Sequence, residues 1–362
     1  MACFQEGKRM KVNREKFLKV LESVQPGLSA KAILEQSDCF IFQGKRVVTY
    51  NDEVSCRGPS GLDDSFQGAA KADKLLEVLR EYPDEDVEVT RTDSTIRVSA
   101  KRRRSEVRME ANVCLPVEQV ERPAKGSWRK LPDDFGDAVA LVQPCASLGG
   151  ARPILCFVNI APDWLEACDN LQMCRWTTKT EIESPFLVRQ DSIKHVTTLG
   201  MTEMVQTDAW VHFRGGNGIV LSCRRYMDEY DSDSIGKILK ATGTPAQLPK
   251  GLADAAKRCQ IFSLEDPKFN RVRVDIKPGE VAIVGEGSSG RHMERSKIAY
   301  KGEPLSFRIS PVLLMEIVKE HINVQLCPGL LKVDGGKFQY AACLIQNDSS
   351  ETKKELAEAG AE

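Results

Sequence analysis

The sequence predicts an α+β fold in which a helix-then-strands repeat occurs six times along the chain. Three observations support this prediction: the repeats recur about every 60 residues, each opens with an amphipathic helical pattern, and each continues in short alternating strands. The predicted helix starts are Asn13, Lys71, Pro132, Gln190, Lys250 and Ser310. An even six-fold repeat offers no obvious place for a single catalytic cleft, so the sequence favours a scaffold whose function is spread over a surface.

The helices and strands are predicted in order along the chain. Asn13 is a suitable N-cap and Pro26-Gly27 ends the first helix, while Pro132 and Pro311 stand in first helical turns. The helices are expected at about 13–25, 71–81, 132–142, 190–199, 250–262 and 310–323. The strands are expected at Cys39–Phe42, Arg46–Tyr50, Val54–Arg57, Val87–Arg91, Thr95–Ala100, Glu106–Ala111, Arg271–Ile276, Val281–Gly285 and Lys337–Ile345.

The repeats group in pairs. Leu131–Ala138 echoes Leu248–Ala255, and the two segments lie about two repeat lengths apart, which indicates that two repeats make one domain. We therefore predict three domains, at 1–122, 123–245 and 246–346, joined by linkers near Pro116–Lys130 and Ser232–Pro249. The polar and acidic segment 347–362 is predicted to be disordered.

Composition excludes few classes of function. The 362 residues are 41% hydrophobic and 28% charged, as in ordinary globular proteins, and no apolar run is long enough to span a bilayer. The charged stretch 1–10 lacks the apolar core of a signal peptide, so we expect a cytoplasmic protein. The 51 basic and 52 acidic residues give a net charge of -1, which neither supports nor excludes nucleic-acid binding.

No metal, cofactor or catalytic site is predicted. The 12 cysteines are scattered without C-x-x-C spacing and the 4 histidines are as widely spread, so reduced, half-buried thiols in strands are the simpler expectation. Asp133, Asp134 and Asp169 have no partner at catalytic spacing. The glycine-rich stretch Gly285–Gly290 precedes no helix, so a hairpin loop is expected there rather than a phosphate site.

Three segments carry a resemblance to one known family. Ala255–Ser263 followed by Lys268–Val274 is similar to the third domain of the bacterial DNA polymerase beta sliding clamps. Ala167–Met173 resembles the second-domain segment Ala-Thr-Asp-Gly-His-Arg-Leu, and Met10–Val12 with Phe17–Leu21 resembles the family's opening. The resemblance extends from Met10 to Ile345 and is that of a divergent member, of the kind a phage encodes.

The resemblance implies a DNA-clamp fold of three similar domains, each made of two helix-plus-sheet repeats. Two copies would close head to tail into a ring, with helices lining the hole and sheets outside. The implied function is a processivity factor that encircles duplex DNA without sequence specificity, catalyses nothing, and tethers DNA polymerase and the clamp loader through peptide motifs. A clamp-like scaffold for repair or transcription, or an enzyme with an unrecognised site, remain alternatives.

The residues expected to contact DNA are basic side chains on the helices and in two loops. They are Arg14, Lys16, Lys19, Lys31, Lys71, Lys74, Arg152, Lys194, Lys250, Lys257 and Arg258. A few loose phosphate contacts would hold a ring without stopping its motion and would carry no sequence information. Solvated helix faces are the alternative. The basic run Lys101–Arg104 is predicted to be a hairpin tip, either solvated or touching DNA.

The resemblance also implies two protein-binding surfaces. Its partner-peptide pocket corresponds to Cys168, Asn170, Leu171, Gln172, Met173, Met227, Ala341, Ala342, Cys343 and Leu344. The family's usual Gly-His-Arg is replaced by Asn170-Leu171-Gln172 and its Met-Pro-Met-Arg-Leu ending is absent, so a dedicated partner motif is expected. The dimer interface would bring Val107 and Met109 of one copy close to Ile261 and Phe262 of the other. Ordinary core packing is the alternative at both surfaces.

Overall fold

The computed structural model describes residues 9–29, 34–124, 126–263 and 270–346. The chain divides into two compact units. Unit 1 comprises Met1–Pro144, Leu148–Leu165 and Thr178–Glu229. Unit 2 comprises Cys145–Ser147, Glu166–Thr177 and Tyr230–Glu362. Within the described ranges, no helix combines the length and the apolar character that crossing a membrane requires.

A helix forms at each of the six predicted places. The helices are α1 Arg14–Ser23, α2 Ala72–Glu81, α3 Phe135–Val142, α4 Gln190–Ile193, α5 His195–Thr198, α6 Ser232–Leu239, α7 Leu252–Ser263 and α8 Pro311–Glu320. The fourth predicted helix is divided at Lys194 into α4 and α5. Asn13 caps α1 as predicted, because its side-chain oxygen accepts a hydrogen bond from the Lys16 backbone N–H at 3.0 Å.

The strands of the described residues include the nine predicted ones, with small changes at their ends. They are β1 Arg9–Asn13, β2 Cys39–Gln43, β3 Arg46–Tyr50, β4 Val54–Pro59, β5 Gln67–Lys71, β6 Asp86–Arg91, β7 Thr95–Ala100, β8 Arg103–Glu110, β9 Arg129–Lys130, β10 Phe157–Ile160, β11 Trp164–Cys168, β12 Gln172–Thr177, β13 Phe186–Arg189, β14 Glu203–Gln206, β15 Trp210–Arg214, β16 Val220–Arg224, β17 Thr244–Gln247, β18 Val272–Lys277, β19 Gly279–Gly287, β20 Gly290–Tyr300, β21 Leu305–Ile309, β22 Asn323–Cys327, β23 Leu330–Asp334, β24 Phe338–Cys343 and β25 Ile345–Gln346.

In unit 1, β10 and β13 pair with each other, and most other strands form one antiparallel sheet. Its strands are hydrogen-bonded in the order β1-β6-β7-β8-β5-β2-β3-β4-β16-β15-β14-β9. Helices α1 and α2 pack together, as do α3 and α5. Large side chains fill the core, and Tyr50, Phe42, Trp210 and Phe213 are fully buried. The strands alternate between buried and exposed residues where one face meets solvent, as in Thr95–Ala100.

Unit 2 repeats this construction. Its strands are hydrogen-bonded in the order β12-β24-β23-β22-β17-β20-β19-β18-β21-β25, and every neighbouring pair is antiparallel. Helices α7 and α8 pack together, and α7 lies against β19 and β20. Ala256, Cys259, Leu314 and Phe307 belong to the shared core of these elements.

The sequence similarity between Leu131–Ala138 and Leu248–Ala255 is matched by similar backbone hydrogen bonds. The Leu131 backbone N–H donates to the Thr202 carbonyl at 2.8 Å, and the Leu248 N–H donates to the Ile322 carbonyl at the same 2.8 Å. In the same way, β1 pairs with β6, β9 with β14 and β17 with β22, so one arrangement occurs three times. The division into domains at 1–122, 123–245 and 246–346 stays a prediction, and its second boundary falls inside β17.

The prediction of a linker over Ser232–Pro249 was wrong, because this segment contains α6 and β17. The Asp231 side chain accepts a hydrogen bond from the Ser234 N–H at 3.0 Å and so caps α6, whose Ile235 and Leu239 are buried. The other predicted linker is also packed. Leu115 and Val117 next to its start lie in a core cluster of unit 1.

Several smaller predictions have clear outcomes. Lys101 lies in the turn between β7 and β8, and Ser288 in the turn between β19 and β20, so both hairpins are confirmed. Most of the cysteines in the described ranges are buried rather than half-buried, because the strands and helices that carry them lie in the cores. The predicted disordered segment 347–362 lies outside the described residues.

Candidate functional site

Helix α1 presents two lysines to solvent. Lys16 and Lys19 are three residues apart and therefore share one face, whereas Phe17 and Leu21 on the other face are buried in the core. Among the described residues, neither ammonium group has a carboxylate within ion-pair distance. Both charges are thus available to an external anion.

Four other predicted cations share this property. Arg152, Lys194, Lys250 and Lys257 are exposed, and none of them forms an ion pair with a residue in the described part of the chain. We refer to these four residues, with Lys16 and Lys19, as the unpaired cations. They lie on α1, between α4 and α5, on or just before α7, and in the loop that precedes β10. Lys31 lies outside the described residues.

Three predicted cations are already neutralised. Lys71 Nζ donates a hydrogen bond to the Asp38 carboxylate at 2.6 Å, and this bond raises the pKa of the lysine. Lys74 bonds Glu77 at 2.9 Å. The Arg258 guanidinium contacts the Glu294 carboxylate at 2.5 and 2.8 Å and, with His292, lowers the pKa of that carboxyl to about 2. These exposed pairs reduce the charge that the three cations offer to a ligand.

Arg14 has a structural role. Its Nε donates to the Asp84 carbonyl at 3.1 Å and its Nη1 donates to the Leu79 carbonyl at 3.0 Å. Because carbonyl groups at the end of a helix lack intrahelical partners, Arg14 stabilises the C-terminus of α2. Sequence position alone could not distinguish it from Lys16 or Lys19.

The basic hairpin tip is partly neutralised as well. Lys101 and Arg103 both bond Asp84, at 3.2 and 3.0 Å, and Arg104 bonds Glu106 at 2.5 Å. Arg102 is exposed and has no ion pair within the described ranges. The tip therefore offers less positive charge than its sequence indicates.

Part of the predicted peptide pocket is core. Met173 on β12 pairs in register with Ala341 on β24, and both are buried against Ile235 and Leu239 of α6. Ala342 and Leu344 are buried too. Helix α6 covers Met173 and Ala341, whereas Ala342 and Leu344 belong to the core beneath α7 and α8. The assignment of these four residues to a peptide pocket stays a prediction. The signal for α6 was present in the spacing of Ile235 and Leu239 after an Asp-Ser cap.

The remaining pocket residues of unit 2 form a small patch at the turn between β11 and β12. Asn170 is exposed, Leu171 is 38% exposed, and Cys168, Gln172 and Cys343 are half-buried. The turn is fixed by the side-chain oxygen of Asp169, which accepts hydrogen bonds from the N–H groups of Leu171 at 2.6 Å and Gln172 at 2.8 Å. We refer to Cys168, Asn170, Leu171, Gln172 and Cys343 as the turn patch. Met227 belongs to unit 1, where it is 58% exposed.

A buried ion pair supports the neighbourhood of the turn patch, and sequence analysis missed it. Glu166 on β11 is fully buried, and its carboxylate accepts a hydrogen bond from Arg175 Nε on β12 at 2.7 Å. Ser232 Oγ donates to Glu166, and the Ser232 carbonyl accepts a bond from Arg175 Nη2 at 2.7 Å. The pair therefore anchors the start of α6 to the sheet. No local sequence signal distinguishes these two charged residues from solvated ones.

The four predicted interface residues differ in accessibility. Val107 and Met109 on β8 are 5% and 3% exposed and belong to the core of unit 1, as the alternative of ordinary core packing expects, and their assignment to the dimer interface stays a prediction. Ile261 on α7 is 65% exposed. Phe262 is half-buried beside Gly290, whose backbone approaches its ring. Only the second pair of residues therefore offers an apolar surface.

No family model matches the sequence, and no curated protein matches it. Solved structures do match. A sliding clamp (DNA polymerase III subunit beta) from Pseudomonas aeruginosa, bound to griselimycin, shares 15% identity at a TM-score of 0.78 and covers 94% of this chain and 100% of its own. The chain has the DNA sliding-clamp fold.

Two further structures agree with this assignment of the fold. The DNA polymerase III beta subunit from Thermotoga maritima matches at a TM-score of 0.79 with 14% identity, and the beta subunit from Streptococcus pyogenes matches at 0.75 with 17% identity. In both comparisons the aligned region covers 94% of this chain and 100% of the matched chain. The predicted sliding-clamp fold is thereby confirmed. In the described part of this clamp fold, no three His, Cys, Asp or Glu side chains are gathered as metal ligands.

Proposed function

We propose that this chain is a DNA sliding clamp, a processivity factor that encircles duplex DNA and tethers the replicative polymerase. The observation that carries the proposal is the match of 94% of the chain to solved structures described as sliding clamps. Because one fold can serve several functions, the proposal also depends on what the surface of this chain offers.

The unpaired cations support DNA binding. Lys16, Lys19, Lys194 and Lys257 lie on or between helices of the packed pairs, and an unpaired ammonium gains most from a phosphate because it loses no existing ion pair. Few contacts of this kind suit a protein that must move along DNA, since each one adds only a modest, salt-sensitive share of the affinity. Phosphate contacts alone would make the binding independent of sequence.

The turn patch is our candidate site for polymerase and clamp-loader peptides. Leu171 supplies an exposed aliphatic side chain, and Gln172, whose Oε1 accepts a hydrogen bond from the Tyr340 hydroxyl at 2.9 Å, supplies a fixed amide beside it. An extended peptide with one apolar anchor would fit such a surface. We propose no catalytic role for the chain, and its buried, unbridged cysteines suit the reducing cytoplasm.

We also propose that the clamp is a homodimer joined through two open strand edges. On the side away from β7, the stretch 103–108 of β8 pairs with no strand among the described residues, and the stretch 290–298 of β20 is equally open on the side away from β19. Joining the β8 edge of each copy to the β20 edge of the other would cover both edges and close the assembly. Ile261 and Phe262 would lie beside that junction.

Retention on circular DNA tests the proposed function. The protein is mixed with nicked circular duplex DNA at micromolar concentration and passed through a sizing column in moderate salt, and the DNA is then cut once with a restriction enzyme. A clamp that encircles DNA should co-elute with the circle and be lost after cutting. Equal retention on circular and linear DNA would contradict encirclement, and the same protein on a circle cut before mixing is the control.

A further inference from the structure

The two open edges carry charge of the same sign. Along 101–110, which includes β8, five residues are basic and two are acidic. Along β20, Arg291, Arg295 and Lys297 are basic and Glu294 is acidic. The three basic residues of β20 are exposed and alternate along the strand, so they project from one face of the sheet.

The acidic residues on these edges are already engaged within the chain. Glu106 accepts hydrogen bonds from Arg97 and Arg104, at 2.9 and 3.1 Å, and its pKa is lowered by them. Glu294 is held by Arg258 and His292. These carboxylates are therefore not free to neutralise the basic side chains of a second copy.

Some basic residues at the two edges remain uncommitted, although Lys101, Arg103 and Arg104 are already paired with Asp84 or Glu106. Arg102 and Arg108 near the β8 edge and Arg291, Arg295 and Lys297 on the β20 edge have no ion pair within the described ranges. Bringing the two edges together would place these five edge residues near one another. Like charges on adjacent strands are destabilising, and a strand edge lined with cations normally discourages pairing.

We infer that the β8 and β20 edges of this chain repel each other electrostatically, so that its self-association is strengthened by salt and by reversing the charge of either edge. This inference rests on the proposed homodimer. The expected effect of salt on the dimer is the reverse of the usual one, because a dimer whose interface joins opposite charges is weakened by salt. A ring joined in this way is held by backbone hydrogen bonds and by apolar side chains such as Ile261. Opening it around DNA then costs less free energy than opening a ring whose edges carry opposite charges.

The experiment measures the dimer dissociation constant of the full-length protein by sedimentation equilibrium in low and moderate salt. Raising the salt from about 0.1 M to about 0.5 M shortens the Debye length to less than half, and we expect the dissociation constant to fall roughly tenfold. Arg295→Glu and Arg108→Glu, one on each edge, should each tighten the dimer about tenfold at the lower salt. Arg295→Gln should lie between Arg295→Glu and the unchanged protein.

Lys237→Glu is the matched control. Lys237 is exposed on α6, outside both edges, and its reversal makes the same change in net charge. It should leave the dissociation constant unchanged, and thermal melting of all variants checks that each is folded. A gain of affinity cannot arise from a variant that has merely lost structure.

Three results would overturn the inference. The first is a dimer that salt weakens, the second is an Arg295→Glu or Arg108→Glu dimer no tighter than the unchanged one, and the third is equal tightening by Lys237→Glu. A protein that stays monomeric in every variant and at every salt concentration would overturn the homodimer as well. A dimer that is retained on circular DNA but is insensitive to these charges would refute the repulsion alone and leave the proposed function standing.

Discussion

Replacing Lys16 and Lys19 with glutamine should reduce the salt dependence of DNA binding. Both side chains are exposed on one face of α1 and have no ion pair within the described residues, so each is expected to neutralise one phosphate. One phosphate contact contributes about 0.9 to the slope of log affinity against log salt concentration. The double variant should therefore lower the slope by about 1.8 for each chain, or about 3.6 for a dimer.

The measurement is the anisotropy of a labelled duplex over a fourfold range of salt. Over that range, a slope change of about 3.6 makes the loss of affinity caused by salt roughly a hundredfold smaller. The matched control is Lys71→Gln with Lys74→Gln, which makes the same change in formal charge. Because Asp38 and Glu77 already hold these two lysines, the slope should stay near that of the unchanged protein.

The outcome of this comparison decides whether unpaired and paired cations differ in function. Equal slopes for the two double variants would refute the reasoning, since they would mean that an existing ion pair does not limit phosphate contact. An unchanged slope in the Lys16 and Lys19 variant would remove α1 from the DNA-binding surface.

Three further predictions follow from the same structure. Phe262→Asp should weaken the dimer, because a buried aromatic side chain contributes about 1.5–3 kcal/mol to an interface, and light scattering should show the mass of one chain. Glu166→Gln should lower the free energy of unfolding measured in urea by about 3–5 kcal/mol, since the neutral amide no longer balances the buried charge of Arg175. Burial lowers the pKa of His212 to about 4 from 6.5, so protonation favours the unfolded state and stability should fall as the pH drops from about 6.5 towards 4. His212→Asn should reduce that dependence in urea titrations at several pH values.

Each of these predictions has a result that contradicts it. An unchanged mass for Phe262→Asp would place this side chain outside the interface. A loss below about 1 kcal/mol for Glu166→Gln would mean that water replaces the ion pair. His212 is hydrogen-bonded to Ser222 at 2.8 Å and to Thr207 at 3.1 Å. If the loss of stability in acid is the same with and without His212, that loss must come from other groups.

The exposed lysines of the helices show how far sequence reasoning reaches at the candidate site. The helical period identifies Lys16 and Lys19 as solvent-facing because Phe17 and Leu21 must be buried. The same period also nominates Arg14, whose guanidinium donates to the Leu79 carbonyl at the end of α2 and to the Asp84 carbonyl beyond it. Leu79 is 65 residues away along the chain, and no local pattern contains a contact at such a distance.

The sequence by itself determined the repeat, five whole helices and the hairpins, because these depend on spacing, caps and turn residues that act over a few positions. Only the tertiary structure decided which charges remain available, that α6 covers Met173, and that no strand in the described part of the chain pairs with the basic edges of β8 and β20. Those features depend on contacts between distant segments, where burial and ion pairing change the chemistry of a side chain without changing its local pattern.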